Sequence, residues 1–279
     1  MIKLACNYYH ETEELVRESK IDIDYFKFPS LVFQMGMLNK SDLTEFGEFV
    51  ENIKEVKPIL LHGLNPSPHN IGSVTFIEDL NVEIVNKLLH ISETPGISLH
   101  LAGIDKTLSR IQNLNIIIKN INYLKEKFPN LDFLSFENVD SNMFGVCIEP
   151  DFISTIIKET NVQFLLDISH AFCSARVKGE NFEKYLYQLP LDNTYEIHIN
   201  GWAERNNDIM CHIKINELGY RTLKNVLSVC SPKIVTLEYG RHNDRIGIGC
   251  PIMSNNRVNS TAKEEIIEQV DNLKQILNR

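Results

Sequence analysis

No cysteine pair of the C-x-x-C kind occurs in this chain. Its six cysteines, Cys6, Cys147, Cys173, Cys211, Cys230 and Cys250, are scattered. That spacing argues against a structural zinc site and for reduced thiols, as expected of a cytoplasmic protein. No glycine occurs in "ACNYYHET", the segment after the first apolar run. The glycine-rich dinucleotide fingerprint is therefore absent. No apolar run approaches the roughly 20 residues needed to cross a bilayer. The opening "MIKLACNYYHETEE" lacks the apolar centre of a signal peptide and turns acidic early. Basic residues are in deficit, 28 Lys and Arg against 37 Asp and Glu, for a net charge of −9. That balance opposes phosphate-backbone binding. The expectation is a cytoplasmic protein with neither a membrane nor a nucleic acid as partner. Low-complexity tracts, linkers and long repeats are missing too.

What remains is an alternation. Short apolar runs at 2–6, 22–27, 58–62, 97–102, 131–137, 163–167, 194–199 and 233–238 read as strands. Helical periodicity fills 11–19, 41–54, 80–92, 105–127, 149–160, 180–188, 216–229 and 262–278. Pro150 opens one helix at a first-turn position, and Ser260 or Thr261 with the following glutamates forms a capping-box pattern. Strands alternating with helices imply parallel pairing through right-handed crossovers. Eight such units predict an α/β protein, a (β/α)₈ TIM barrel, as a single domain over 1–279.

With strands placed, polar residues fall into a pattern. His62 ends the third strand, His100 lies in the fourth and Glu137 ends the fifth. Asp167 and His170 close the sixth in "LLDISHA". His198 lies in the seventh, His212 follows it, and Glu238 ends the eighth. All sit at the C-terminal face, where this fold carries its chemistry. Converging buried imidazoles and carboxylates are costly without countercharge, and a multi-metal cluster supplies it. Mixed imidazole and carboxylate suit iron, zinc or manganese. Taken singly, each residue has a plainer reading. A strand histidine is more often a core hydrogen-bonding group, Glu137 with Asn138 could cap a helix, and Asp167 with His170 could form an Asx turn. His10 and His242 could line the pocket; His69 and His90 read as solvated.

The ordered set His62, His100, Glu137, Asp167, His170, His198, His212 and Glu238 resembles the ligand series of xylose-isomerase-like barrels, which include endonuclease IV. The wording "FENV", "LLDISHAFCSARVKGENFEKYLYQLP", "EIHINGW" and "TLEYG" is more similar to the multinuclear non-heme iron-dependent oxidative enzymes. That family includes the oxidase of methanobactin biosynthesis. The resemblance is best from about 97 to 240. It implies a barrel with two or three iron ions, with Zn²⁺ or Mn²⁺ as alternatives. It also implies dioxygen-dependent remodelling of cysteine or other side chains in a ribosomally made peptide. A separate leader-binding partner protein often assists. Asn138, Lys27 and His242 are candidates for a supporting role around the metals.

Two departures stand out. The superfamily usually has Asp two residues before the histidine after the seventh strand, where this chain has Met210. Either Asp208 replaces it as a ligand, or His198 and His212 hold that ion alone. Many of the iron oxidases have Asn where this chain has His170. Three functions stay open: an iron oxidase acting on a peptide, a metal-dependent hydrolase or sugar isomerase, and a non-catalytic peptide-binding barrel. An isomerase calls for a lysine near its substrate, and Lys27 is the candidate. Glu137 and Glu238 are expected to face each other across the mouth and to bridge two ions.

Overall fold

Alternation along each strand decides what fills the barrel. In the computed structural model, which describes residues 1–28, 43–65, 67, 70–205, 208–240 and 260–278, all eight expected strands form. They are β1 (Lys3–Asn7), β2 (Tyr25–Phe28), β3 (Ile59–His62), β4 (Gly96–His100), β5 (Phe133–Glu137), β6 (Gln163–Asp167), β7 (Thr194–Ile199) and β10 (Ile234–Leu237). They pair in parallel and close in the order β1-β10-β7-β6-β5-β4-β3-β2. The fold is the (β/α)₈ barrel read from the sequence.

Successive strand residues point to opposite faces. Outward positions such as Leu4, Phe26, Leu61, Leu99, Phe136, Leu166, Ile197 and Val235 join the large core between sheet and helices. Inward positions stack in three tiers. At the bottom, Ala5, Leu60, Phe133 and Ile234 form a separate apolar plug. Gly96 completes it, because a Cβ there would lie 2.4 Å from the Phe133 ring. The middle tier is polar: Lys27, Ser98, Ser135, Glu196 and Thr236 are buried and hydrogen-bonded to one another. The top tier holds His62, Glu137, Asp167, His198 and Glu238, buried to at least nine-tenths. One strand supplies all three chemistries two residues apart, as in Phe133, Ser135 and Glu137.

Two segments depart from the expectation. The stretch after β6 is helical at once, as Ile168–Lys178, and ends at Gly179 in the left-handed conformation (φ +66°). The sequence pattern predicts a helix only at 180–188, where a short one runs Phe182–Leu186. Nearly every residue from Ile168 to Ala175 is buried, so the amphipathic stripe that signals a surface helix is missing. After β7 the chain forms a hairpin, β8 (Gly201–Arg205) and β9 (Asp208–Ile213), paired antiparallel over the C-terminal face. Elsewhere the expected helices form, joined by a short helix at Phe76–Asp79 and a 3₁₀ segment at Asn142–Ile148. Arg110–Lys127 starts from a Ser109–Gln112 capping box, and Pro150 opens Pro150–Thr160. The last helix runs Ser260–Ile276. Among the described residues, no helix is long and apolar enough to cross a membrane.

Candidate metal centre

The top tier converges on Glu137. His62 Nε2 lies 3.1 Å and His100 Nε2 3.2 Å from its Oε2. His170 Nδ1 lies 3.2 Å and His198 Nδ1 3.5 Å from its Oε1. His198 Nδ1 is also 3.3 Å from Glu238 Oε2, and His212 Nε2 is 3.3 Å from the same oxygen. Glu137 and Glu238 thus flank His198 across the mouth. Burial pushes the Glu137 carboxyl up, but His100, His198, His62 and His170 outweigh it and hold the group well below the usual carboxylate range.

Donor atoms gather in three sets, each within 4.8 Å: His62, His100 and Glu137; Glu137, Asp167, His198 and Glu238; His170, Cys211 and His212. Glu137 belongs to the first two. Both its oxygens, both nitrogens of His62 and Nδ1 of His198 are buried without a hydrogen-bond partner among the described residues. A buried carboxylate lacking donors costs several kcal/mol, and native interiors leave few such groups. Cations between these atoms would satisfy both Glu137 oxygens, His198 Nδ1 and one nitrogen of His62, so the donor set fits metal.

Surrounding groups aim the donors. Glu196 Oε1 lies 3.2 Å from His198 Nε2, leaving Nδ1 toward Glu137 and Glu238. A carboxylate on the far nitrogen of a histidine is the usual way proteins orient a ligand. Lys27 Nζ donates to Glu196 Oε1 and Oε2 at 2.9 and 2.7 Å and to Ser98 at 2.8 Å. Lys27 is 1% exposed, so it supports the site from below and is not the substrate-facing lysine an isomerase calls for. Asn138 locks β5 to β6: its Nδ2 donates to the Asp167 carbonyl and its Oδ1 accepts from the Asp167 N–H, both at 2.9 Å. Its own carbonyl lies 2.9 Å from His170 Nδ1, which frees His170 Nε2.

Asp167 answers the Asx-turn question with a division of labour. Its Oδ1 accepts from the His170 N–H and the Ser169 hydroxyl, both at 2.7 Å, as the N-cap of the helix. Its Oδ2 accepts from Asn200 Nδ2 at 3.0 Å and faces the cluster. Burial pushes the carboxyl up to about 7, with His170 opposing and Glu238 and Glu137 adding. Asn200 also accepts from the His212 N–H through Oδ1 at 2.8 Å, tying β7 to the hairpin.

Asp208 begins β9 opposite Arg205 at the far end of the hairpin; its side chain, like His242 and His69, lies outside the described residues. Three participants escape the sequence pattern: Glu196, Asn200 and Cys211. Glu196 was legible as the inward neighbour of His198 two positions on. Asn200 stands in "HING", where no periodicity marks it. Cys211 is adjacent to His212, and strand alternation would send the two apart.

The chain is similar to known proteins over most of its length. The family model described as RiPP precursor modification enzyme MbnB/TglH/ChrH matches residues 37–240. A UPF0276 protein of Psychromonas ingrahamii is 25% identical over 179 residues, 58% of this chain and 61% of that protein's own length. Among solved structures, D-psicose 3-epimerase in the presence of D-fructose covers 100% of both chains, with a TM-score of 0.66 and 11% identity. The IOLI protein with a zinc atom covers 99% of this chain and 98% of its own, with a TM-score of 0.66 and 12% identity. At such identities these structures speak for the barrel alone. The matched region spans β3 to Glu238 and so takes in the whole Glu137 cluster, and by it the chain belongs to the family of RiPP precursor modification enzymes MbnB/TglH/ChrH.

Proposed function

We propose that this chain is a multinuclear iron enzyme that uses dioxygen to modify a side chain, most simply a cysteine, of a ribosomally made peptide. A separate leader-binding protein is the partner this reading expects. One observation carries it: Glu137, wholly buried, belongs to two donor sets, with Oε2 beside His62 and His100 and Oε1 beside His198, while neither oxygen finds a hydrogen bond among the described residues. That is the arrangement of a carboxylate shared between two cations. His62 and His100 complete one position; Asp167, His198 and Glu238 complete the other. Iron bound there would supply electrons to dioxygen and an affinity for a substrate thiolate.

The chain's own residues set the direction of approach. Side-chain exposure is 44% at His100 and 24% at His212, against 0% at Glu137 and His198. A peptide therefore meets the rim formed by β4 and the hairpin. Among the described residues, Lys27 and the middle tier close the barrel below the centre, so substrate approaches from the C-terminal face of the strands. The test is co-expression with short Cys-containing peptides encoded beside its gene, read by mass spectrometry. An iron-dependent and dioxygen-dependent mass change on one peptide is expected. Sugar epimerisation or hydrolysis by the metal-loaded protein, with no peptide altered, would overturn the reading.

A further inference from the structure

The third donor set differs in kind from the other two. It holds no carboxylate: its members are His170, Cys211 and His212. Two neutral imidazoles alone are a poor site for a divalent ion, since neither brings charge. Cys211 brings it. Its sulfur lies 3.2 Å from His212 Nδ1, and the residue is only 6% exposed.

The backbone is bent to make this possible. Neighbouring residues of a strand point to opposite faces, so Cys211 and His212 should not share a target. His212 takes φ +63°, a left-handed conformation that a non-glycine residue adopts at a cost of about 1–3 kcal/mol. The turn is held on both sides: the His212 N–H donates to Asn200 at 2.8 Å, and its carbonyl accepts from the Gly240 N–H at 2.9 Å. His170 is fixed independently, by the Asn138 carbonyl and by the helix that Asp167 caps. Three donors from two separate elements are thus aimed at one point.

We infer that Cys211 is a thiolate ligand and that, with His170 and His212, it forms a third, sulfur-bearing position for a divalent iron, cobalt or zinc ion. The inference rests on the metal reading of the Glu137 cluster and adds to it a soft position that favours these ions over Mg²⁺ and Mn²⁺. Cys173, on the helix that Asp167 caps, lies outside this donor set. Sulfur is then an alternative to the two arrangements expected from the sequence, Asp208 or histidines alone.

The test is anaerobic titration of the metal-free, fully reduced protein with Co²⁺. Wild type is expected to bind more than one Co²⁺ per chain, with a near-ultraviolet thiolate-to-cobalt charge-transfer band. Cys211→Ser should lose the band and weaken the corresponding site more than about tenfold, while Cys173→Ser keeps the band. As a check that needs no variant, bound Co²⁺ should slow alkylation of Cys211 in the wild type. Full cobalt binding with no such band, a band that survives Cys211→Ser, or alkylation of Cys211 unaffected by Co²⁺ would overturn the inference while leaving the Glu137 cluster standing. Wild type that binds no cobalt at all would overturn both.

Discussion

Replacing Lys27 with Met should damage the barrel more than any surface charge could. Its ammonium and the Glu196 carboxylate are 1% and 0% exposed and 2.7 Å apart. At an effective dielectric constant of about 20, two unit charges at that distance attract by about 6 kcal/mol. Desolvation offsets much of this, so the pair's net worth is small, but removing one partner strands the other. Breaking a buried pair costs about 3–5 kcal/mol. Lys27→Met should therefore lose about 3–5 kcal/mol in urea denaturation at pH 7, with a chelator present and an unchanged m-value. Adding Glu196→Gln to it should recover most of that loss, because the stranded charge is gone. The pH dependence has a definite sign. Burial pushes the Glu196 carboxyl up, and Lys27, followed by His198, holds it well below the usual range. In wild type its contribution is complete above the ordinary carboxylate range and is lost only as pH falls through the lower folded value. Without Lys27 the carboxyl takes up a proton more readily in the folded state, so the deficit of Lys27→Met should narrow from pH 7 to pH 5. A deficit under about 1 kcal/mol, or one unchanged with pH, would refute the reasoning.

Substitutions at three other residues test separate parts of the account. Glu137→Gln should lower the metal count by more than one ion per chain, since it serves two donor sets, and unchanged stoichiometry by elemental analysis would contradict a shared ligand. Asp167→Asn keeps the oxygen that caps the helix, whereas Asp167→Ala loses it. Both should weaken metal binding, but only the alanine variant should lose a further ~1 kcal/mol of stability in chelator. Gly96→Ala drives a methyl to 2.4 Å from the Phe133 ring and carbonyl and should cost about 1–3 kcal/mol in thermal or urea melts, with metal binding of the folded fraction retained.

The barrel was legible because each strand is short, apolar and flanked by turn residues, and because eight of them recur in order. The top tier was legible for the same reason: His62, Glu137, Asp167, His198 and Glu238 each close an apolar run, and period 2 puts them all inside. Legibility failed where burial or backbone strain erased the period. The helix after Asp167 is buried on nearly all sides, so no stripe marks it, and D-x-x-H reads as the close of a strand. Cys211 and His212 share a face only because His212 adopts φ +63°, which no pattern of residue types announces. Lys27 reads as a functional lysine from its place at the end of β2. Its role is set by Glu196, which β7 places beneath His198 and which pairs with Lys27 across 169 positions.

The most direct test of a centre built on Glu137 is the metal content of the anaerobically purified protein, read together with its Mössbauer spectrum. The account predicts two or three iron ions per chain, with the spectrum showing more than one iron environment and magnetic coupling between at least two ions. A single uncoupled ion per chain, or iron that persists at full stoichiometry in Glu137→Gln, would contradict it.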